Sequence, residues 1–319
     1  MRTNYYNPVT HVGFQPVRVL KWNLAQSVES LSKDSPSNFI TILQRHGLRP
    51  FIGYDYTEDS IIDASGDHRI PFVDSKKQIT IHETFLSLVW AMCYSHLALF
   101  EEHILKPELN RSHGYTYPTD DTAIRNAVNI YKYGVSLVRN YNPWDKVNLP
   151  NPEDYDPVDL YIEKSNGLFV HAMDFIICHE LAHIDLGHMD DYIPTADMPL
   201  SEAQADERAV ELMLGGATNS ATRVNYGAGM LLGFCSLLTL RRELASDTHP
   251  HLANRIESVL KAQLLEDTSN LWGIATMSFK LWDDLHNPKS PRISWPQCAD
   301  TFKELFYKVF DQIRQTGST

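Results

Sequence analysis

The sequence predicts a mainly α fold with a small β element (α+β), and three observations predict it. A long apolar-periodic stretch from about Glu83 to Leu105, followed by several shorter ones in the second half, has helical spacing. The segment from His68 to Ile81 instead shows two short alternating β-branched runs around Asp74-Ser75-Lys76-Lys77, the pattern of a hairpin. Pro143, Pro150, Pro152 and Pro157 exclude a helix between Asn140 and Asp159. With 319 residues, 43% of them apolar and 21% charged, the chain has ordinary globular composition and can bury a sizeable core.

In chain order, residues 24–46 read as helical, interrupted by Ser35-Pro36-Ser37. The hairpin and the Glu83–Leu105 helix follow, then a helix from about Thr119 to Arg139 with Thr119 or Asp120 as N-cap. The proline-rich connector divides an N-terminal part, 1–145, from a part at 146–319 that carries the catalytic motif, the two forming one compact unit. Asp159 to Lys164 reads as a short edge strand. Helices are then expected at about 167–187, 202–215, 220–245, 250–265, 267–285 and 298–315. The most apolar windows, Phe85–Phe100 and Tyr226–Leu240, fall short of the roughly 20 residues that span a bilayer. They read as buried helices, with no transmembrane segment expected.

Lys plus Arg number 28 against 40 Asp plus Glu, a formal charge of −12, which disfavours a nucleic-acid partner. Cys93, Cys178, Cys235 and Cys298 are widely spaced and form no CxxC pair, so neither a disulfide framework nor a four-cysteine metal site is indicated. The N-terminus lacks the apolar run of a secretory signal, and a cytoplasmic, reducing location is expected.

The chemistry is concentrated in Phe175-Ile-Ile-Cys-His-Glu-Leu-Ala-His-Ile-Asp-Leu-Gly-His188, which contains HExxH. On a helix, His179 and His183 share a face and can reach one metal ion, while Glu180 can reach a water beside it as general base. A solvated helix face with satisfied histidines is the plain alternative, but the flanking Phe175, Ile176, Ile177, Leu181, Ala182, Ile184 and Leu186 make the helix largely buried. Buried imidazoles need partners, and a metal is the simplest. Catalytic zinc takes three protein ligands. Downstream, Ser201-Glu-Ala-Gln-Ala-Asp206 reads as a helix start with a Ser201/Gln204 capping box and places Glu202 and Asp206 on one face. Glu202 can complete the site while Asp206 orients a ligand histidine; both acids would also suit the first turn of any helix. Cys178 reads as core, and His188 after Gly187 as a C-terminal residue near the last carbonyls. His171 and Asp174 flank the same helix and line its pocket at most.

HELAH followed by ExxAD resembles the gluzincin metallopeptidases. The resemblance implies a zincin-like fold with a small N-terminal β element and a helical C-terminal part. It implies His179, His183 and Glu202 as Zn2+ ligands, Glu180 as base and Asp206 as partner of a ligand histidine. Thr248-His-Pro-His-Leu-Ala-Asn-Arg-Ile256 is similar to the segment that follows this element in HtpX-like peptidases. There His249, His251 or Arg255 can stabilise an oxyanion; equally, Pro250 can simply open a helix. The hairpin leading into IHETFLSLVWAMCYSH, with HExxH past the middle, looks like the Lit-type phage-exclusion peptidases. That resemblance implies a latent cytoplasmic zinc endopeptidase in antiviral defence, triggered by a phage peptide or protein to cut a host protein, in that family a translation elongation factor. A constitutive processing peptidase, or a non-catalytic zinc-containing regulatory protein, are the alternatives.

Overall fold

The computed structural model describes residues 11–31, 38–49, 52–73, 78–114, 116–156, 158–188, 194–215, 217, 219–296 and 299–316. A 3-10 turn, Pro16–Leu20, runs into α1 (Lys21–Ser30), and α2 is Phe39–Arg45. The Ser35-Pro36-Ser37 interruption lies outside the described residues. β1 (Gly53–Asp55), β2 (Phe72–Val73) and β3 (Ile79–His82) form one sheet in the order β1-β3-β2. The expected hairpin is the antiparallel pair, Phe72 opposite Thr80 and Val73 opposite Ile79; its turn lies outside the described residues. β1, parallel to β3 with Tyr54 opposite Ile81, is an addition to the expected set, too short for any alternation to register.

β3 leads without a loop into α3 (Glu83–Phe100), every residue of which is buried. The helix continues beyond its expected end through a π turn, Glu101–Leu105, into α4 (Lys106–His113). The π turn sits just ahead of Pro107, where a regular ladder would lose a donor. α5 (Asp121–Ser136) is capped by Asp120, whose carboxylate accepts from the Thr122 and Ala123 amides. α6 spans Leu160–Asp185, so the edge strand expected at Asp159–Lys164 is instead the first turn of this helix. Asp159 caps it by accepting from Tyr161 and Ile162, and Ile162, Ser165, Asn166, Phe169 and Val170 are buried at helical spacing. The β-branched and aromatic pair Tyr161-Ile162 imitates a strand locally, but three-dimensional packing decides.

α7 (Met198–Gly215) starts earlier than expected, because Pro199 is tolerated in a first turn. Ser201 is therefore inside the helix, its hydroxyl on the Asp197 carbonyl, rather than the cap of a capping box. α8 (Ser220–Leu238) ends early, where the Trp282 indole N–H holds the Arg241 carbonyl at 3.0 Å. α9 (Leu252–Ala262), α10 (Asn270–His286) and α11 (Phe302–Thr316) complete the chain. Pro250 precedes α9, and its cap is His251, not a residue ahead of the proline.

One buried apolar cluster extends from Val17 to Ile313, with Trp90, Phe169, Phe234 and Phe279 among its largest members. α3 and α6 are its centre: α6 packs on α3, α7 and α8, and α3 on α5, α8 and α10. Gly229 lets α8 approach α6 closely. A β-carbon there would stand 2.4 Å from the His171 Cβ and 2.7 Å from the His171 carbonyl carbon. By length and composition alone, Glu83–Ser112 and Leu160–Asp185 are long and apolar enough to cross a bilayer, longer than the apolar windows read from the sequence. Their apolar windows are 100% and 67% buried within the protein, the position of core helices.

Candidate active site

α6 carries His179 and His183 one turn apart, as the helical spacing requires, and their Nε2 atoms lie 3.1 Å from each other. α7 crosses beside them and presents Glu202, with Oε2 3.4 Å from His179 Nε2 and Oε1 3.3 Å from His183 Nε2. All three residues offer a ligand atom within 4.8 Å of the others. The far sides of both rings are held. His179 Nδ1 approaches Asp206 Oδ1 at 3.0 Å, a short ion-pair contact whose N–H is not aligned for a good hydrogen bond. His183 Nδ1 lies 3.0 Å from His188 Nδ1, and His188 Nε2 lies 3.2 Å from Gln204 Oε1.

These contacts determine what the cluster needs. Ionised Asp206 only accepts, so the His179 proton belongs on Nδ1. Gln204 Oε1 accepts a hydrogen bond from His188 Nε2–H, leaving His188 Nδ1 to accept from His183 Nδ1–H. The Nε2 atoms of His179 and His183 then present lone pairs toward each other and toward a carboxylate. Such a group is stable only around a cation, a proton or a metal ion. The donor set, two imidazoles and one carboxylate, suits a divalent transition metal with room for a further ligand. Without a metal, the same pressure falls on the protons of these groups. Burial works against charge on His179, yet Asp206 and Glu202 overcome it and raise its pKa to about 9. Burial likewise opposes charge on Glu202, but the two histidines hold it far below the usual carboxylate range.

Glu180 faces the same space from the next position on α6. Burial raises its carboxyl above the ordinary range, with the His179 and His183 charges opposing. Behind the cluster, Arg255 of α9 donates from Nε to Asp206 Oδ2 at 2.6 Å and from Nη2 to Oδ1 at 2.7 Å, and its Nη1 reaches Glu202 Oε2 at 3.5 Å. His249 Nε2 lies 3.8 Å from Glu202 Oε2, while its Nδ1 is 2.7 Å from the Thr248 hydroxyl. These residues open into a cavity of about 380 Å³, walled by Phe72, Phe175, Phe234, Leu237 and Leu244.

The structure thus brings together His179, Glu180, His183, Glu202, Asp206, Arg255 and His249. It does not bring His251, whose Nδ1 accepts from the Ala253 amide as the cap of α9. His171 and Asp174 do not line the cavity either: fully buried Asp174 accepts from Ser27 at 2.5 Å and faces His171 Nδ1 at 3.2 Å. Cys178 is buried and its thiol pushed up by burial, as befits core. What sequence reasoning underrated is His188. Gly187, at φ +75°, ends α6 with the His188 amide on the His183 carbonyl at 2.8 Å and the Gly187 amide on the Ile184 carbonyl at 3.1 Å. That turn folds the His188 ring back under His183. The His-x-x-x-His-x-x-x-Gly-His run contained the signal, had the turn been built.

Two carboxylates and two imidazoles converging in a mainly apolar cavity suit the hydrolysis of a bound polar bond. Comparison with known families agrees on the class. The peptidase U49 family model matches residues 79–275, from β3 into α10, and the chain belongs to that family, the Lit-type peptidases. It is a peptidase, and its substrate is a protein or a peptide. No curated protein and no solved structure matches the chain.

Proposed function

We propose that the chain is a zinc-dependent endopeptidase, with His179, His183 and Glu202 as metal ligands. The observation that carries this reading is the convergence of three electron-pair donors on one point, with Glu180 beside them and a peptide-sized cavity in front. Zinc bound there would supply a Lewis acid that polarises the scissile carbonyl and acidifies a water. Glu180 takes the proton of the attacking water and passes it to the leaving amine. Asp206 and His188 fix the two ligand imidazoles from behind. With its Nδ1 engaged by Thr248, His249 has Nε2 to offer toward the tetrahedral oxygen, and Arg255 adds positive charge from the same side. β2, one of the two outer strands of the sheet, reaches the cavity wall at Phe72 and offers an edge along which an extended peptide can pair.

The family membership supports the rest of the reading: a protease in a reducing cytoplasm, silent until a phage component triggers it, acting on a host protein such as a translation factor. The described cysteines, Cys93, Cys178 and Cys235, are free and buried, in keeping with that compartment. Two outcomes test the proposal. Peptide-bond hydrolysis stops on treatment with 1,10-phenanthroline and returns on adding zinc; hydrolysis that persists in excess chelator contradicts it. His188→Ala weakens zinc affinity by about 10- to 100-fold, the usual effect of releasing a ligand's outer partner. Unchanged affinity in a competition titration would leave His188 with a purely structural part.

A further inference from the structure

Arg241 lies three residues beyond the end of α8 and lines the same cavity as His179, His183 and Glu202. Of the other charges there, Glu202 faces the two histidines, Arg255 is spent on Asp206, and Glu180 stands beside the histidines on α6. Arg241 has no ion pair and no side-chain hydrogen bond among the described residues, although its guanidinium carries five donors. It is half-buried, and burial and then the Arg255 charge hold its pKa below the ordinary range, with only Glu202 opposing. His68 and His249, which feel its charge, are both shifted down by burial and add no negative charge. Leu240 and Leu244 flank it in the cavity wall. A guanidinium partly desolvated beside apolar walls, with no protein carboxylate paired to it, offers a ligand carboxylate a stronger bond than it makes with water.

We propose that Arg241 is the specificity residue of this cavity and that it takes a carboxylate of the peptide substrate, either an Asp or Glu side chain or the free C-terminus, near an apolar residue held by the leucines and phenylalanines. The proposal rests on the zinc-peptidase reading. The residue's own contribution to the fold is made by its backbone carbonyl, which accepts from Trp282, so side-chain replacement leaves that bond in place.

The test uses the zinc-loaded full chain and four peptidyl hydroxamates that share one apolar residue. Two have amidated C-termini and differ as glutamate against glutamine; two end in alanine, with a free carboxylate against an amide. Calorimetry on wild type is expected to show one carboxylate probe binding at least about tenfold tighter than its amide twin, the ratio a charge-assisted bond supports. The pair that shows the preference identifies side chain or terminus. Arg241→Ala abolishes the preference while leaving the amide probes unchanged, and Arg241→Glu reverses it. Equal affinities within both pairs in wild type, a preference that survives in Arg241→Ala, or equal weakening of all four probes overturns the proposal and leaves the zinc reading standing. Zinc that binds without any hydroxamate binding overturns the zinc-peptidase reading, and this assignment with it.

Discussion

Glu180→Gln retains a full complement of metal and loses peptide hydrolysis by about 10²- to 10⁴-fold or more, the range that a positioned general base contributes. Glutamine keeps the size and shape of the side chain, so the cavity and the packing of α6 are preserved. The atoms that would hold the metal belong to His179, His183 and Glu202, and none is altered. What is lost is the ability to accept a proton, a capacity that burial strengthens by raising the Glu180 carboxyl above its ordinary range. Single-turnover rates at saturating substrate, measured beside metal content, check this. A variant that retains both metal and turnover would remove Glu180 from the mechanism.

Arg255→Met destabilises the metal-free protein by about 3–5 kcal/mol, the cost of leaving one partner of a buried ion pair uncompensated. Methionine fills much of the same space against the Phe234 ring, which the guanidinium overlies at 5.0 Å, so the loss is mainly of charge. Asp206 is left buried with His179 as its remaining ion-pair partner. Burial opposes its ionisation, but His179 and Arg255 hold its pKa below the usual carboxylate range. A depressed carboxylate contributes stability above its unfolded pKa and loses it as pH falls through the folded value. The gap between wild type and Arg255→Met therefore narrows below about pH 4. Urea unfolding across pH measures this, and the double variant Arg255→Met/Asp206→Asn should be less destabilised than the two single changes added together. A loss under about 1 kcal/mol would show that the pair is not structurally important.

Much of this arrangement was legible because it obeys local rules. Helical periodicity puts His179 and His183 on one face and Glu202 with Asp206 on another, and no tertiary information is needed to see that two such faces suit one ion. Arg255 emerged from a segment similarity, and the structure shows the physical reason for its position, a two-bond contact with Asp206. The parts that escaped depend on how the chain turns after a helix. His188 reaches His183 only through the positive-φ Gly187, and Arg241 reaches the cavity only because α8 stops at Leu238. His251 fell on the wrong side of such a turn and became a cap. The first turn of α6 was misread as a strand because Tyr161-Ile162 has β character that burial against α3 overrides. β1 is three residues long and has no signature except its partner.

The central claim is that the three converging donors hold a metal ion. Its most direct test is the zinc content of chelator-free purified protein, wild type beside Glu202→Ala, by elemental analysis. The account predicts close to one zinc per chain in wild type and a clearly lower content in Glu202→Ala after dialysis against weak chelator. Folded wild type that contains no zinc and cannot be loaded with it would contradict the account.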